Sequence, residues 1–219
     1  MPPIVRLAET DADRARVFRF RYEIYVEEMG RVQQYADHAN RTITEPFDET
    51  GHIFLAEDGD GNVVGTVRTN FGRDTDYGAY REFYGMEALE GVSLRHISVT
   101  TKLMVASDCR GGTLGYRLAT ALYKFGLSEG ILFDFIDCNP HLEDTFLRLG
   151  FRHYRSRIQH PEYGEVLPLI LPLTDLDHLE SVGSPWASIC REHHPHLTAN
   201  RLLHQAIQKY QTEQQTNAA

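Results

Sequence analysis

A glycine-rich segment near the middle of the chain has the residue types that most directly suggest chemistry. The apolar residues 103–105 predict a buried strand, which leads into Arg110-Gly111-Gly112-Thr113-Leu114-Gly115. Glycines let a backbone fold closely around an anion, and a helix that begins near Thr113 directs its free N–H groups and positive dipole end toward that anion. Because ordinary turns can have the same spacing, the flanking elements have to decide between an anion-binding loop and a plain connection.

The flanking sequence predicts alternating strands and helices. After the loop, one face of a helix carries Leu114, Leu118, Leu122 and Phe125. A strongly apolar strand then spans residues 131–138, and a short helix over residues 141–149 ends at Gly150 before a strand over residues 151–158. Upstream, Asp58-Gly59-Asp60-Gly61-Asn62 predicts the turn of a hairpin. This order of elements predicts an α/β (α+β) fold.

Two motifs in this part of the chain resemble those of the GCN5-related N-acyltransferase (GNAT) superfamily. The loop motif Arg-x-x-Gly-x-Gly is matched by Arg110 and Gly115, with Thr113 in place of the first glycine. The later signature, an Asn, an aromatic seven residues on and then Leu-Gly-Phe, is met by Asn139, Phe146 and Leu149-Gly150-Phe151. The resemblance implies the GNAT fold, with a mixed central sheet flanked by helices. It also implies an acyl thioester co-substrate whose phosphate-containing part is bound by residues 110–115 and by Asn139.

The N-terminal half is similar to the autoinducer synthases and to the related N-acyl amino acid synthases. Thr10-x-x-Asp13 has the form of a capping box, and residues 18–30 are similar in sequence to the first helix of those enzymes. An acidic pair, a strand and a Gly-x-x-Arg follow there, matched here by Glu45 with Asp48, residues 52–56 and Gly65-Thr66-Val67-Arg68. The two resemblances together cover roughly residues 10–158.

Two departures distinguish the chain from the autoinducer synthases that acylate S-adenosylmethionine. Those enzymes carry Glu-x-Ser-Arg-Phe on the fourth strand, where the same register here gives Val99-Thr100-Thr101-Lys102-Leu103. The tryptophan expected after the first helix is Arg31. The resemblance therefore implies the N-acyl amino acid branch. Its members move a fatty acyl group, expected to be long, from acyl carrier protein or acyl-coenzyme A to the amine of an amino acid, with no tightly bound cofactor.

The resemblance also implies which groups perform the chemistry. A bulge in the fourth strand offers a backbone N–H to the thioester oxygen, and we place that donor at Met104 or Val105. The acceptor amine has to lose a proton, and the candidate bases are Glu45, Asp48 and His96. Either carboxylate could instead bind the amine, and a histidine beside an apolar strand is often structural.

The predicted acceptor site depends mainly on two arginines. Arg21 and Arg68 could hold the carboxylate of the acceptor, or they could order the loop that carries Asp48, and the residues alone do not separate these roles. Where the superfamily often has a Tyr general acid, this chain has Phe146, but a thiolate with a free pKa near ~8.5 can leave without full protonation. The predicted substrate site is completed by Tyr25, Lys102 and Phe146.

Composition limits the organisation and the partners. With 219 residues, 42% of them hydrophobic, the chain can form one substantial core, so we expect an acyltransferase domain over residues 1–174 and a C-terminal helical extension with a polar tail over residues 175–219. A net charge of −9 disfavours nucleic acid as a partner. No apolar stretch approaches the ~20 residues of a membrane span and no charged-then-apolar leader opens the chain, so we expect a cytoplasmic protein.

No metal site or disulfide framework is predicted. The cysteines are three in number and lack CxxC spacing. Three histidines lie around Pro195, at His193, His194 and His196, but they lack partner cysteines and HExxH spacing, so a loop between helices is favoured.

Three alternatives to the N-acyl amino acid synthase remain open at this point. The first is a small-molecule N-acetyltransferase that uses acetyl-coenzyme A. The second is a lactone-forming synthase of the autoinducer type. The third is a non-catalytic sensor that binds acyl thioesters, which Phe146 in place of Tyr allows.

Overall fold

A computed structural model describes residues 2–89, 91–160 and 162–193. Residue contacts divide the chain into two compact units. The first unit comprises Met1–Asn70 and Thr100–Phe125, and the second comprises Phe71–Val99 and residues from Gly126 onward. Strand β6 (Ile97–Val105) contributes to both. The predicted fold class is confirmed, because the strands form a mixed eight-stranded sheet in the order β1-β4-β5-β6-β7-β10-β8, with β9 paired to β10.

The first unit begins with strand β1 (Ile4–Leu7) and helix α1 (Asp11–Tyr22). The predicted capping box is present: the Thr10 hydroxyl accepts a hydrogen bond from the Asp13 N–H at 3.1 Å, and the Asp13 carboxylate accepts one from the Thr10 N–H at 3.4 Å. Helix α1 continues directly into a π-helical segment, Glu23–Glu28. The π-helical segment is followed by a small hairpin of β2 (Ala36–Asp37) and β3 (Thr42–Ile43) and a 3-10 turn, Pro46–Asp48.

The predicted hairpin is formed by β4 (His52–Glu57) and β5 (Val63–Phe71). The Asp58 carboxylate holds its turn by accepting hydrogen bonds from the Asp60 and Asn62 N–H groups at 3.0 and 2.8 Å. Strand β1 pairs antiparallel with β4 on the outer side.

The first-unit half of β6 is enclosed by helices on both faces. Met104 packs against Phe20 and Ile24 of the N-terminal helix, whereas Leu103 and Val105 pack into the cluster that includes the predicted apolar face of α3 (Leu114–Ser128). A glycine is required beside this strand. A Cβ on Gly65 would lie 2.9 Å from the Leu118 side chain and 3.2 Å from the Met104 carbonyl oxygen.

The second unit contains the remaining strands. Strand β7 (Phe133–Cys138) pairs in parallel with Ile97, Ser98 and Val99 of β6, and β10 (Gly164–Pro172) runs antiparallel to β7. The short strands β8 (Arg152–His153) and β9 (Ile158–His160) both pair with β10. The helices of this unit are α2 (Tyr80–Tyr84), α4 (Glu143–Leu149), α5 (Leu176–Ser181) and α6 (Ala187–Glu192).

The single strand predicted over residues 151–158 is wrong. His153 pairs with Leu169 and Ile158 pairs with Val166, so four residues on one side stand opposite two on β10 and the ladder breaks. The extra residues are held elsewhere in the unit, because the Tyr154 hydroxyl donates to the Gly85 carbonyl at 2.8 Å. Periodicity predicted strand character but did not reveal this tertiary hydrogen bond.

The C-terminal prediction can be followed only as far as His193. Helices α5 and α6 both lie within the range predicted for the helical extension, and the buried Trp186 precedes α6. Residues 194–219, which include the rest of the predicted extension and its polar tail, lie outside the described residues. The predicted extension and its boundary at residue 174 stay predictions. Within the described ranges, none of the helices combines the length and hydropathy needed to cross a bilayer.

Candidate active site

The predicted anion loop lies between β6 and α3 and is open to solvent. Arg110, Gly111, Gly112 and Thr113 are all exposed, and α3 begins immediately after them at Leu114. Gly111 has a φ of 76°, a left-handed conformation that favours glycine. Thr113 lies outside that region of φ, so the replacement of the motif's first glycine causes no backbone strain. The sequence and the local fold therefore agree on a helix that begins directly after an exposed loop.

Arg110 is fixed from two sides within the first unit. Its Nε donates to the Val105 carbonyl at 2.9 Å, and its Nη1 forms an ion pair with the Glu28 carboxylate. Its side chain is still 41% exposed. An anion at the loop would thus meet a guanidinium group that is already positioned, in competition with one carboxylate.

A second concentration of charge is buried in the same unit, around Asp48. Arg21 of α1 donates from Nη1 to both Asp48 carboxylate oxygens at 2.8 Å, and Arg68 of β5 donates to Oδ1 at 2.8 Å. The Glu45 N–H donates to the other oxygen, also at 2.8 Å. Arg21, Asp48 and Arg68 have side-chain exposures of 0–2%. Asp48 is therefore saturated with donors, and both arginines are turned toward it.

Glu45 and Lys102 lie at the more exposed edge of this cluster. The Glu45 carboxylate is 3.0 Å from Arg68 Nη2 and forms an ion pair with Lys102 Nζ. Arg68 Nη2 also donates to the Thr101 hydroxyl at 3.0 Å. The side chains of Glu45 and Lys102 are 13% and 5% exposed. We call Arg21, Glu45, Asp48, Arg68 and Lys102 the buried charge cluster.

The buried charge cluster contains three cationic side chains and two carboxylates among the residues described. Arg21 Nε and Nη2 and Arg68 Nε are buried and have no hydrogen-bond partner within the described part of the chain. Buried unpaired donors are unfavourable, and sites that bind ligands are one place where they persist. The cluster thus carries an excess of positive charge and of hydrogen-bond donors.

The charges shift the protonation equilibria of the cluster. Burial raises the pKa of Glu45 and of Asp48, but the adjacent cations, Lys102 and Arg68 for Glu45 and Arg21 and Arg68 for Asp48, outweigh burial and hold both pKa values below normal. Burial lowers the pKa of Lys102, and Arg68 and Arg21 lower it further, so this pKa lies below its ordinary value despite the nearby Glu45. The carboxylates are poor proton acceptors at neutral pH, whereas the lysine is shifted toward neutrality.

The strand that carries Lys102 is distorted at that residue. Lys102 has a φ of 59°, an uncommon value for a residue with a side chain, and it lies two positions before Met104. Strand β6 corresponds to the fourth strand of the resemblance. Its backbone is irregular at Lys102, two and three residues before the predicted backbone donors. The Tyr25 ring of the π-helical segment covers Lys102 Nζ, at 5.1 Å from the ring centroid.

The second unit contains the other predicted site residues. His96 Nδ1 is 2.9 Å from the Gly130 carbonyl oxygen, an acceptor, so this nitrogen carries the proton. Asn139 begins the 3-10 turn Pro140–Leu142, and its carbonyl accepts from the Leu142 N–H at 2.9 Å. Phe146 of α4 packs edge-on against Phe151 at 5.4 Å between ring centroids. His96 is thus engaged in a backbone hydrogen bond, and Phe146 in an aromatic contact.

Comparison with known families identifies the domain. Residues 20–119 match the model of the acetyltransferase (GNAT) domain. The chain therefore contains a GNAT acyltransferase domain. GNAT enzymes transfer acyl groups to amines, and the chain is accordingly an N-acyltransferase. The resemblance that the sequence motifs indicated is confirmed. The comparison with curated proteins gives no match.

Solved structures similar to this GNAT chain include several synthases. BjaI, described as a coenzyme A-dependent acyl-homoserine lactone synthase, aligns with a TM-score of 0.61 and 20% identity over 84% of this chain and 90% of its own. FeeM, an N-acyl amino acid synthase from uncultured soil microbes, aligns with a TM-score of 0.59 and 15% identity over 86% of this chain and 99% of its own. The acyl-homoserine lactone synthase LasI aligns with a TM-score of 0.57 and 20% identity over 78% of this chain and 90% of its own. At these identities the similarity establishes the shared fold.

The GNAT fold brings most of the predicted site residues into the first unit. The buried charge cluster, Tyr25, the two predicted backbone donors and the loop over residues 110–115 all belong to it, whereas His96, Asn139 and Phe146 belong to the second. Sequence reasoning missed Glu28, which belongs to none of the motifs and whose ion pair with Arg110 is visible only in the structure.

No group of His, Cys, Asp and Glu side chains suited to a metal ion occurs within residues 2–193 as described. His193 Nδ1 lies 3.0 Å from the Ile189 carbonyl oxygen of α6. His194 and His196 lie outside the described residues.

Proposed function

We propose that this GNAT enzyme transfers a fatty acyl group from acyl carrier protein or coenzyme A to the amine of an amino acid, forming an N-acyl amino acid. The observation that carries the proposal is the charge pattern at the more exposed edge of the buried charge cluster. There the Glu45 carboxylate, 13% exposed, lies beside Lys102 and next to buried arginines with unused donors. An amino acid brings the complementary pair of an ammonium and a carboxylate.

Two residues favour an amino acid acceptor over lactone formation. Val99 stands where the autoinducer synthases have a glutamate, and its side chain is fully buried in the sheet. Arg31 stands where those enzymes have a tryptophan. Neither position offers the group that the lactone-forming enzymes carry there.

Within this proposal, Arg21 and Arg68 order the acidic loop. Both arginines donate to Asp48 and are almost completely buried, so they fix the loop that carries Glu45. Asp48 accepts four hydrogen bonds, which leaves it to position the arginines and not to take a proton. Glu45 then receives the acceptor's ammonium, and Arg68 remains close enough to pair with its carboxylate.

The anion loop supplies the donor side of the proposed reaction. Arg110 and the N–H groups at the start of α3 would hold a phosphate of the thioester, which phosphopantetheine on a carrier protein and coenzyme A both contain. The Met104 or Val105 N–H would donate a hydrogen bond to the thioester oxygen as negative charge develops on it, a contribution of roughly 10²-fold to 10³-fold in rate. The fold relative BjaI is described as coenzyme A-dependent, which supports coenzyme A as one source of this phosphopantetheine.

A donor and acceptor panel tests this function. Purified protein would be incubated with acetyl, medium-chain and long-chain thioesters of coenzyme A and acyl carrier protein, each with single amino acids, and products read by mass spectrometry. We expect an N-acyl amino acid from a long-chain donor, strongly reduced in Arg110→Glu and retained in Arg19→Glu, which reverses an exposed charge on α1. Acetyl transfer with rejection of long donors would replace the proposal with an acetyltransferase, and tight thioester binding without turnover would replace it with a sensor.

A further inference from the structure

The proposed reaction needs a proton acceptor, and none of the predicted bases is well suited to that role. An amino acid arrives as an ammonium ion, which has to lose a proton before its nitrogen can attack a thioester. Asp48 is saturated with donors and Glu45 is paired with the Arg68 guanidinium, so both remain ionised and weakly basic. His96 precedes the first residue of β6, whereas Met104 and Val105 stand at the other end of that strand, and its Nδ1 donates to a backbone carbonyl. The following inference rests on the proposed function and asks which group takes this proton.

Lysine is rare in this chain, which makes its use in the buried charge cluster informative. The sequence contains nineteen arginines but only three lysines, Lys102, Lys124 and Lys209. In the register of the autoinducer synthases, position 102 corresponds to an arginine. A guanidinium keeps its proton at any physiological pH, whereas an ammonium can release one when it is buried beside other cations. A lysine in place of the arginine therefore provides a proton that can be released near neutral pH at this position.

The surroundings of Lys102 favour its neutral form. The charged and titratable groups that face it are Glu45 from the acidic loop, Arg68 from β5, Arg21 from α1 and Tyr25 from the π-helical segment, with Asp48 behind the arginines. When Lys102 is protonated, the cluster has three positive and two negative charges. When it is neutral, the two arginines balance the two carboxylates, which suits a site that excludes water. The lowered pKa of Lys102 agrees with this count.

The backbone places Lys102 beside the predicted point of attack. Its left-handed φ of 59° distorts β6 two residues before Met104 and three before Val105. The N–H groups of these two residues are the predicted oxyanion donors. The side chains of Lys102 and Met104 face α1 and the π-helical segment that continues it. Lys102 contacts Tyr25, and Met104 packs on Phe20 and Ile24. With Glu45, Lys102 forms the more exposed edge of the cluster, where the acceptor would enter.

We infer that Lys102 is the general base of the reaction. Neutral Lys102 Nζ accepts one proton from the acceptor's ammonium, which leaves a free amine held beside Glu45. The amine nitrogen attacks the thioester carbonyl, a C–N bond forms, and the oxygen takes up the electron pair at the backbone donors. When the carbonyl reforms, the C–S bond breaks, and the thiolate receives the second proton of the nitrogen. The products are the amide, a thiol and protonated Lys102, which returns its proton to water.

Three conservative changes test the assignment kinetically. Lys102→Arg keeps the charge but cannot act as a base, Lys102→Met keeps the length without charge or basicity, and the control Lys124→Arg makes the same change at an exposed site on α3. We expect kcat to fall at least ~10²-fold in both Lys102 variants with little change in the KM of the donor, and to be unchanged in the control. Both variants should still unfold cooperatively and bind the donor thioester.

The pH dependence separates a base from a structural residue. In the wild type, kcat/KM should rise with pH as Lys102 loses its proton, because only the neutral amine accepts one. In Lys102→Met this rise should disappear, leaving only the rise that accompanies loss of the acceptor amine's own proton. A lysine that merely supports the fold would change the height of the profile and not the position of the limb.

A direct titration of the three lysines provides a measurement that is independent of turnover. In protein labelled with ¹³C-lysine, the Cε resonance that is missing in Lys102→Arg should titrate at a lower pH than those of Lys124 and Lys209. A Lys102 resonance that titrates with the other two, or above them, would overturn the inference. So would wild-type turnover together with an unchanged rate and pH limb in Lys102→Met, while leaving the proposed function intact. If the wild type forms no N-acyl amino acid with any donor, the proposed function fails and the role of Lys102 with it.

Discussion

At the scale of single residues, the chemistry of this GNAT chain depends on charges that are buried together. Asp48 accepts from Arg21, Arg68 and the Glu45 backbone, and each partner is removed from water. Removing one member of such a group leaves the others as uncompensated buried charges, which costs more than the pair contributes when it is intact. The stability of the acidic loop and the position of Glu45 should therefore depend strongly on one carboxylate.

Asp48→Asn should test this dependence. The substitution keeps the size of the side chain but removes the charge that two buried guanidinium groups require, so we expect a loss of about 3 kcal/mol or more in the free energy of unfolding. The control Asp60→Asn lies at the exposed hairpin turn and should remain within about 0.5 kcal/mol of the wild type. Urea unfolding measures both changes, and a loss in Asp48→Asn no greater than that of the control would contradict the buried pairing.

The same cluster should make stability sensitive to acid. The pKa values of Glu45 and Asp48 are lowered in the folded state, so their contribution is fully present above the unfolded values of about 4 and is lost as the pH falls through the lower folded values. Unfolding free energy measured from pH 6 downward should therefore drop more steeply in the wild type than in Asp48→Asn. Parallel curves for the two proteins would show that Asp48 is not ionised in a favourable site.

At the scale of elements, short segments place these residues and the loop. The π-helical segment Glu23–Glu28 continues α1, and along it Tyr25 covers Lys102 while Glu28 pairs with Arg110. π-Helical turns are often found at functional sites, since they add a residue to the helix and redirect the side chains that follow. One segment thus contacts both the buried charge cluster and the anion loop.

Glu28→Gln should release Arg110 from its carboxylate. A donor phosphate competes with Glu28 for the guanidinium, so neutralising Glu28 should lower the KM of the acyl thioester roughly two- to fivefold, the range of a partly exposed ion pair. Glu27→Gln is the matched control, because Glu27 lies on the same segment but pairs with Arg41. Equal effects of the two variants on KM would indicate that only the net charge of the segment matters.

The glycines of the anion loop should differ in their tolerance of a side chain. Gly111→Ala places a Cβ on a backbone with φ of 76° and should cost about 1 kcal/mol of stability. Gly115→Ala should be close to neutral, because its Cβ would make only an ordinary contact, 3.7 Å from Val105 Cγ2. Thermal unfolding of the two variants provides the comparison, and a larger loss in Gly115→Ala would mean that the loop conformation has been misassigned.

At the scale of the whole molecule, the chain combines the GNAT sheet with a site whose parts come from distant positions in the sequence. In the first unit alone, the Arg21 and Arg68 contacts to Asp48 join residues 27 and 20 positions apart. Binding of a co-substrate by the folded chain only should stabilise the fold as a whole. This behaviour offers a test of donor binding that does not require the acceptor to be known.

Long-chain acyl-coenzyme A should raise the thermal midpoint of the wild type in a concentration-dependent way. At a hundred times its Kd, a ligand that binds only the folded state adds about 2.7 kcal/mol to the stability. Arg110→Glu should lose most of this gain and Arg19→Glu should keep it, as measured by differential scanning fluorimetry with coenzyme A lacking an acyl chain as a reference. A shift retained in Arg110→Glu would remove the anion loop from the donor site.

The sequence by itself determined the features that arise from neighbours along the chain. The Thr10–Asp13 capping box, the hairpin turn at residues 58–62 and the exposed glycine loop at Gly111 depend on groups within a few positions of each other, so residue type and spacing specify them. The order of these elements predicted an α/β (α+β) fold, and the resemblance of two motifs implied the GNAT fold. The break in the strand predicted over residues 151–158 was not accessible in this way, because Tyr154 turns toward a carbonyl 69 residues away.

Only the tertiary structure decided how the charged residues are used. The sequence left Arg21 and Arg68 as either acceptor ligands or supports of the acidic loop, and their contacts now show both directed at Asp48. It likewise indicated Glu45, Asp48 and His96 as bases and Lys102 only as a substrate-binding residue. The burial, charge balance and distorted backbone at Lys102 favour this lysine as the base. The reason is physical: the protonation state of a side chain depends on which charges the fold brings within a few ångströms and how much water it excludes, and neither is encoded in local spacing.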